Sequence, residues 1–550
     1  MNKKSRQRCK VFNLHLNKLF ISLISTVIFL IIGTLSVSAA NFRVKGTVYD
    51  EKTNTTLIGV SVLVKGTTIG SITDIDGNFS IDAPNANASL IFSYVGYTSQ
   101  TVKLDGQSKL KVILAEDTKN LEEVIVVGYG TQKKSVVTGA ISTVSSKDLQ
   151  DQSTPRVEDA LKGRTSGVTV ASNSGSPGAA SSVSIRGVTS INSSSPLYVI
   201  DGIPVDNGGI DFLNQADIES IEVLKDAASA AIYGTRAAAG VILVSTKKGK
   251  AGSLKVNVNG YYGSQAPEHT LSLTNSTQYA TLRNESLMAA GLAPKYSNPS
   301  VLGTGTDWQS LIFNKNASIQ NYEVSFSGGN DKSTFYSSIG YFSQEGIVAS
   351  SISNYNRLTA RFNSNTKMNK WLTVGNNLSF SQIKSKGISE NNYYGDILSS
   401  AVHLDPTTPS VVTDPAALTE ARYANNLNLL VRDGNGNPYG ISDVVGQEMT
   451  NPLAKMAIQQ GNYNWADKLV GNFFLEIEPI KNLKIRSTIG GELSFWGGES
   501  YNPTYYLSAT SNNTALNSFT RSYNRKLDWT WTNTISYTRS FGSHNLTGLL

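Results

Sequence analysis

The stretch Leu527–Thr538, LDWTWTNTISYT, alternates apolar and polar residues with a period of two. One face carries Leu527, Trp529, Trp531, Ile535 and Tyr537, and the other carries Asp528, Thr530, Thr532, Thr534 and Ser536. This alternation predicts a β-strand with one apolar and one polar surface. A soluble sandwich also alternates, but it rarely needs strands of this length or so many aromatic residues, so the pattern favours a strand that crosses a membrane.

The same alternation recurs in Tyr322–Ser327, Arg357–Asn363 and Leu483–Phe495. In the second of these, Leu358, Ala360 and Phe362 oppose Arg357, Thr359, Arg361 and Asn363. The polar faces also hold the acids Glu323, Glu476, Glu478, Glu492 and Asp528. We interpret these acids as the wall of a wet lumen rather than as a catalytic pair.

Short and long connections alternate between these strands. The short turns are Gly328–Lys332, Asn365–Lys370, Pro479–Asn482 and Phe541–His544; the long connections are Ala266–Ala317, Ser385–Ala466 and Gly497–Arg525, and Gln344–Ser353 is of middling length. Tight periplasmic turns and long extracellular loops are typical of outer-membrane barrels.

Residues 253–550 therefore read as a transmembrane antiparallel β-barrel in a β-dominated fold. About nine strands can be counted, whereas barrels that enclose a plug have roughly 22. Because a barrel in lipid must close to pair its backbone groups, we expect this sequence to be the N-terminal fragment of a longer protein and its barrel to be incomplete.

Residues 148–250 form a mixed α/β segment with short apolar strands. Arg156–Gly163 predicts a short amphipathic helix, and Asp226–Ala231 a second helical segment. Four motifs follow in order: VSIRG at Val183–Gly187, LYVIDG at Leu197–Gly202, IESIEVLKD at Ile218–Asp226 and YGTRAAAGVI at Tyr233–Ile242.

In this order and spacing the four motifs closely resemble the plug domain of TonB-dependent outer-membrane receptors. With LEEVIVVGYGTQKK at Leu121–Lys134 in front, the mature chain looks like the SusC/RagA branch of that family. The resemblance assigns plug-motif positions to Ile185, Arg186, Gly187, Asp201, Gly202, Tyr233, Gly234 and Gly240.

The stretch Leu121–Lys134 contains the apolar run Val124–Val127 and then a Gly-Tyr-Gly sequence. Alone it reads as one more strand of the preceding domain. The resemblance instead implies a TonB box, an extended peptide that adds as a strand to the edge of a partner's sheet. Its residues would be Glu123, Val124, Ile125, Val126, Val127, Gly128, Tyr129 and Gly130. Thr131–Lys134 would begin a tether, and the polar residues 135–147 would be a linker.

Residues 41–115 predict a small antiparallel, immunoglobulin-like β-sandwich of short strands between turn signals. The segment resembles the carboxypeptidase-regulatory-like domain, a name that carries no peptidase activity here. The loop Asp74–Asn78 could bind calcium, but its glycine is at the fourth position and not the sixth. A hairpin turn built on Asp-Gly is the better interpretation.

Residues 1–40 resemble a secretory signal peptide with basic residues, the apolar stretch Leu19–Ile32 and small residues before Ala40. An uncleaved membrane anchor is the alternative, although the apolar stretch is short for a span. The formal net charge of +7 includes six basic residues of this leader, so a nucleic-acid partner is not expected. The single cysteine, Cys9, also lies there, which excludes disulfides in the mature chain.

The mature sequence shows no nucleotide loop, no nucleophile elbow and no zinc-binding histidine pair. We therefore expect no enzyme activity, no cofactor and no metal. Asp433–Asn437, DGNGN, could touch calcium, but it lacks the glycine and glutamate positions of a calcium loop.

The resemblance implies active import of oligosaccharides or peptides across the outer membrane of a Bacteroidetes-type Gram-negative bacterium. The implied partners are TonB, energised by ExbB and ExbD, a SusD-like surface lipoprotein and outer-membrane lipid, and the N-terminal domain would be periplasmic. Uptake of siderophores or cobalamin, and an adhesin or signalling receptor, remain alternatives. Substrate-binding residues are unknown; the loop aromatics Trp308, Tyr393, Tyr394 and Tyr439 are better read as structural.

Overall fold

The computed structural model describes residues 42–550 except 52, 95–96, 116–123, 128–129, 134–140, 151–155, 173, 189, 192–193, 206–209, 227–229, 391, 393–394, 447–448 and 543. The predicted signal peptide and most of the predicted linker lie outside the described residues. The chain divides into two compact units, Met1–Glu122 and Glu123–Leu550, and each is described by itself.

The first unit is a β-sandwich of two sheets, in the orders β4-β1-β7 and β3-β2-β5-β6. Its strands are β1 (Phe42–Asp50), β2 (Ser61–Val64), β3 (Gly70–Ile72), β4 (Asn78–Ala83), β5 (Ser89–Ser93), β6 (Gln100–Lys103) and β7 (Lys109–Leu114). Alternate side chains point inward, and Phe79 packs edge-on against Phe92 with ring centroids 5.2 Å apart. The predicted sandwich is confirmed, but its antiparallel character is wrong for β1 and β7. These two strands run parallel because the chain crosses to the other sheet between them.

The predicted turn at Asp74–Asn78 is held by its own aspartate. Asp74 Oδ1 accepts hydrogen bonds from the backbone N–H groups of Asp76, at 3.0 Å, and Asn78, at 2.8 Å. Gly77 takes a φ of 75°, which glycine adopts without steric cost. The turn joins β3 to β4, which lie in different sheets, so the prediction of a hairpin is wrong while the Asp-Gly turn itself is present.

The second unit begins with a two-stranded antiparallel pair, β8 (Val124–Val127) and β9 (Gly130–Lys133). Val127 pairs with Gly130 and Val124 with Lys133. The prediction that a tether begins at Thr131 is therefore wrong for residues 131–133, because they are paired with the apolar run.

The inner domain, residues 141–246, has a five-stranded sheet in the order β10-β15-β16-β13-β14 and a separate pair β11-β12. The strands are β10 (Ile141–Ser145), β11 (Val168–Ser172), β12 (Ser181–Ile185), β13 (Leu197–Ile200), β14 (Ile203–Val205), β15 (Ile218–Leu224) and β16 (Val241–Thr246). The predicted linker, residues 135–147, is wrong where it contains β10. Val144 is buried in the domain core and Ile141 packs against a second apolar cluster, so this polar segment has enough apolar anchors to form an edge strand.

The helix predicted at Arg156–Gly163 is a 3₁₀ turn of three residues, Asp159–Leu161. Isolated helices this short are unstable, and the ion pairs of Arg156 and Glu158 fix the chain instead. The helical segment predicted at Asp226–Ala231 lies partly outside the described residues. A 3₁₀ helix follows at Ala231–Ala237.

The rest of the second unit is built on a nine-stranded antiparallel sheet whose strands pair in chain order. They are β17 (Gly252–Gln265), β18 (Ala317–Gly329), β19 (Ser333–Glu345), β20 (Asn354–Lys367), β21 (Leu372–Lys386), β22 (Tyr463–Ile480), β23 (Leu483–Asn502), β26 (Ser518–Phe541) and β27 (His544–Leu549). The predicted alternation is confirmed: Leu358 and Phe362 are 42% and 47% exposed, whereas Arg357 and Arg361 between them are buried.

The long connections of the sheet are folded rather than open. They contain helices Ser276–Ala289, Trp308–Ile312, Ile397–His403, Ala421–Ala424 and Pro452–Gln459, 3₁₀ turns Pro299–Leu302, Pro415–Thr419 and Leu427–Leu429, and the short pair β24 (Tyr505–Tyr506) and β25 (Asn512–Asn513). Trp308 is buried in an apolar cluster of these connections and donates its indole N–H to the carbonyl of Asp405 at 3.0 Å. Its structural role is therefore confirmed.

Candidate functional site

The polar face of β20 is covered by the inner domain. Arg357, Thr359, Arg361 and Asn363 lie on this face and are all 5% exposed or less. Successive residues on one face of a strand are about 7 Å apart, so this row reaches along the inner domain for about 20 Å. Two clusters of polar contacts fasten the domain to it, one around Asp201 and one around Asp211.

The Asp201 cluster starts from a tight turn between β13 and β14. Ile200 pairs with Ile203, which leaves Asp201 and Gly202 as the two turn residues, with φ of 47° and 88°. Positive φ at both positions is the requirement of a type I′ turn, which Asp-Gly satisfies well. The LYVIDG motif therefore places the Asp201 carboxylate at the end of a rigid hairpin.

The Asp201 carboxylate joins the inner domain to the sheet. It accepts hydrogen bonds from Thr246 N at 3.1 Å and Thr246 Oγ1 at 2.7 Å. Arg361 Nη2 from β20 donates to Asp201 Oδ2 at 2.5 Å, and the two side chains are 2% and 6% exposed. Arg361 also contacts Thr246 Oγ1. Taking both charges out of water is costly, and their pairing offsets that cost.

Side-chain amides from three strands complete the Asp201 cluster. Asn472 of β22 donates to the carbonyl of Asp201 at 3.0 Å, and Asn363 of β20 donates to the carbonyl of Lys247 at 2.7 Å. Asn377 of β21 in turn donates to Asn472 Oδ1 at 3.0 Å. Gly490 of β23 allows a further close approach, since a Cβ there would lie 2.6 Å from Ile203 Cδ1.

The Asp211 cluster lies nearer the start of β20, which follows the connection of middling length after β19. Lys468 Nζ of β22 is 3.0 Å from Asp211 Oδ1, and Arg357 Nη1 donates to the carbonyl of Asp211 at 2.6 Å. Arg156 lies within ion-pair distance of both Asp211 and Glu158. Burial raises the pKa of the Glu158 carboxyl, and Arg156 opposes that shift.

A third contact comes from β19. Asp217, at the start of β15, accepts hydrogen bonds from the Tyr336 hydroxyl at 2.8 Å and from Ser338 Oγ at 2.5 Å. All three residues are buried. The inner domain is thus held to β19, β20 and β22 mainly through polar side chains.

The remaining plug-motif residues serve the inner domain itself. Arg186, with a φ of 57°, pairs with Asp226 at 2.7 Å. A Cβ at Gly240 would lie 2.7 Å from Ile185 Cδ1, so glycine allows these two segments to pack. Of the predicted motif residues, Asp201 and Gly202 therefore belong to the contact with the sheet, while Arg186, Gly240 and Ile185 stabilise the opposite part of the domain.

The alternation of apolar and polar residues places Arg357 and Arg361 on the polar face, but it does not identify their partners. Two arginines four residues apart on the lumen face of a predicted membrane strand were the available signal, since such charges need partners. No local sequence pattern identifies the other residues of these contacts, which are Thr246, Asn472, Lys468 and Asp211. The predicted TonB box is described only in part: Val124–Val127 and Gly130 lie in the pair β8-β9, and the other box residues lie outside the described residues.

Within the described ranges, no three His, Cys, Asp or Glu residues lie close enough together to hold a metal ion. The Asp433 carboxylate instead accepts backbone hydrogen bonds from Asn435 and Asn437 in its own loop. Among the helices of the described part of the chain, none combines the length and hydrophobicity needed to span a membrane.

Comparison with known proteins gives two family matches. Residues 133–241 match the TonB-dependent Receptor Plug Domain, and residues 44–126 match the CarboxypepD_reg-like domain. TonB-dependent receptor P3 of Formosa agariphila is 36% identical to this chain, in a match that covers 94% of this chain and 48% of the relative. TonB-dependent receptor SusC of Bacteroides thetaiotaomicron is 35% identical over 82% of this chain and 44% of its own length.

Among solved structures, the RagAB peptide importer in its open-open state superimposes with a TM-score of 0.64 and 27% identity. The match covers 78% of this chain and 48% of the importer chain. The chain thus spans about half the length of the curated relatives and of the structural neighbour that it matches.

Proposed function

This chain belongs to the SusC/RagA family of TonB-dependent receptors, and from that premise we propose that the complete protein actively imports oligosaccharides or peptides across the outer membrane of a Gram-negative bacterium. The proposed partners are TonB, energised by ExbB and ExbD, and a SusD-like lipoprotein on the cell surface. The name of the RagAB peptide importer supports peptides as a substrate class, and the similarity to SusC and to this importer supports a lipoprotein partner.

The Asp201 cluster supports the proposal most directly, because it holds the inner domain against the sheet through buried polar contacts. A solute can pass only if the inner domain leaves the face of the sheet that it covers. Separating Arg361 from Asp201 leaves each charge without its partner until water reaches it, so the pair opposes spontaneous displacement of the domain. The contact is polar on both sides, so water can replace it once the domain has moved.

The energy would enter through residues 123–130, the proposed TonB box. An extended strand such as β8 can add to the edge of a partner's sheet through main-chain hydrogen bonds. Only residues 134–140 separate the β8-β9 pair from β10, which is an edge strand bonded to β15 alone within the described sheet. Force on the box would therefore reach β10 before the Asp201 cluster.

Deletion of residues 123–130 from the full-length receptor tests the proposal. We expect uptake of the substrate to stop while surface binding of the substrate persists. A control variant replaces residues 135–140 with six glycines and serines and keeps the box. Unchanged uptake after the deletion would contradict energised import through this segment. If the strain with the deletion grew poorly only under iron limitation, siderophore uptake would be favoured instead.

A further inference from the structure

We propose that a polar chamber beside the Asp201 cluster is a second solute site, which binds one unit of a neutral polyhydroxylated solute on its way to the periplasm. The inference rests on the import function proposed above and adds a binding site on the path of the imported solute. The chamber has a volume of about 170 Å³, which corresponds to five or six waters at roughly 30 Å³ each.

The chamber lies at the short-turn end of the sheet. Thr334 is the second residue of β19, Thr373 is the second residue of β21, and Arg486 is the fourth residue of β23. The segment Lys248–Gly249, which leaves the inner domain after β16, closes one side. Since short turns face the periplasm in outer-membrane barrels, a solute released by the inner domain would meet this chamber last.

The chamber shares two side chains with the contacts that hold the inner domain. Asn363 lines it and donates to the carbonyl of Lys247, and Asn377 lines it and donates to Asn472, the partner of Asp201. When the domain moves away, Asn363 loses the carbonyl of Lys247 and Asn472 loses the carbonyl of Asp201, whereas the bond from Asn377 to Asn472 joins two strands of the sheet and can persist. A solute that bonds to Asn363 would replace the contact that this amide loses.

Asn363 already has spare hydrogen-bonding capacity. Its side chain is buried, with 2% of the residue exposed, and its Oδ1 accepts no hydrogen bond from the described residues. A buried acceptor without a partner is costly. Because this atom has almost no accessible surface, a hydroxyl donor from a solute can reach it only after the inner domain has moved.

The lining selects a neutral solute. Asparagine amides and threonine hydroxyls both donate and accept hydrogen bonds, as vicinal hydroxyl groups require. Two of the charges in the wall are already paired, because Arg486 lies 3.6 Å from Glu476 and stacks on Phe474 with its guanidinium 3.7 Å from the ring centroid. The third charged residue of the wall, Lys248, is exposed. An ionic solute would have to break these contacts, whereas a sugar ring would leave them intact.

Thr373 allows the chamber to be filled without touching the inner domain. We expect Thr373→Trp in the full-length receptor to lower the rate of oligosaccharide uptake at least fivefold, while surface binding of the substrate and the amount of assembled receptor stay unchanged. The matched control is Val374→Trp, since the next residue of β21 points to the opposite face of the sheet. Equal uptake by wild type and Thr373→Trp would overturn the proposal.

A binding measurement tests the site without any import. Residues 41–550 contain no cysteine, so Thr373→Cys adds a single thiol to this part of the receptor, and cysteines in the rest of the full-length receptor are first replaced by serine. We expect a neutral trisaccharide at millimolar concentration to slow maleimide labelling of this thiol severalfold, and a blocked neutral tripeptide not to do so. Protection by the peptide alone, or by neither solute, would overturn the assignment. The assay needs no TonB, so it can fail or succeed independently of energised import.

Discussion

Arg361 and Asp201 form a buried ion pair between β20 and the turn that follows β13, with Nη2 and Oδ2 2.5 Å apart. The pair connects the sheet to a hairpin of the inner domain whose two turn residues both have positive φ. Because the turn is rigid and the arginine is buried, separation of the two elements exposes a specific, unpaired charge on each. The pair is thus one of the contacts that any displacement of the inner domain must break.

Asp201→Asn should destabilise the inner domain. The substitution keeps the turn, because asparagine also tolerates positive φ, but it leaves the buried Arg361 guanidinium without its counter-charge. We expect a loss of about 3–5 kcal/mol, measured as a lower temperature of the first calorimetric transition of the full-length receptor in detergent. The double variant Asp201→Asn with Arg361→Gln should recover part of the loss.

The exposed pair between Arg43 and Asp82 in the sandwich is the control for that experiment. Its nitrogen–oxygen distance of 2.8 Å is similar, but the two side chains are 67% and 39% exposed. Asp82→Asn should leave the transition of the sandwich unchanged, because exposed pairs contribute little. A similar effect of both substitutions would show that burial does not govern the Asp201 pair.

Gly202→Ala should weaken the same hairpin through the backbone alone. Gly202 has a φ of 88°, and a Cβ there would meet no atom within 4 Å. We expect a cost of about 1–2 kcal/mol, which is typical of a side chain forced into the left-handed region. Gly175→Ala is the matched control, since Gly175 also has open space but no positive φ. A neutral Gly202→Ala would mean that the turn can relax.

Periodicity predicted the sheet because each strand carries its own signal. The alternation of Leu358 and Phe362 with Arg357 and Arg361 needs no knowledge of the rest of the chain. The partner of Arg361 could not be predicted in the same way. Asp201 is 160 residues away in sequence, and only the strand order β10-β15-β16-β13-β14 brings it to β20.

Two segments near the start of the inner domain show the same limit. Residues 141–145, ISTVS, look like part of a polar linker, because their two apolar anchors become visible only when β15 and its core are in place. The helix predicted at Arg156–Gly163 failed for the opposite reason. Its pattern was locally adequate, but Arg156 and Glu158 are used for buried ion pairs.

Glu222 should make the stability of the inner domain depend on pH. Burial raises the pKa of this carboxyl from 4.5 to about 7, although the Ser220 hydroxyl opposes the shift. The folded state therefore holds a proton that the unfolded chain releases, so the contribution of Glu222 to stability is complete below pH 4.5 and is lost as the pH rises to about 7. At about 1.4 kcal/mol per unit, the loss is on the order of 3 kcal/mol.

Glu222→Gln should remove this dependence and raise the first calorimetric transition at pH 7.5, with little change at pH 4.5. Glu219→Gln on the same strand is the control, because the Glu219 side chain is 49% exposed and should leave the pH profile as it is. A Glu222→Gln receptor that keeps the wild-type pH profile would exclude Glu222 as its origin.

The pairing of β8 with β9 predicts which edge of the proposed TonB box can bind a partner. Val127 and Gly130 flank a two-residue loop, and the residues flanking such a loop form a hydrogen-bonded pair. By alternation, Ile125 also bonds to β9, whereas the N–H of Val126 points to the other edge. That edge has no partner strand within the described residues.

Proline substitutions at Ile125 and Val126 distinguish the pairing with β9 from binding at the other edge, because proline removes one N–H donor. Val126→Pro should reduce binding of purified TonB at least tenfold and stop uptake, since a partner strand would lose a main-chain bond at the centre of the box. Ile125→Pro should open the hairpin but keep the outward N–H of Val126, and we expect a smaller loss of binding. If a binding titration showed a larger loss of affinity for Ile125→Pro than for Val126→Pro, TonB would instead displace β9 and pair with the edge that β9 occupies.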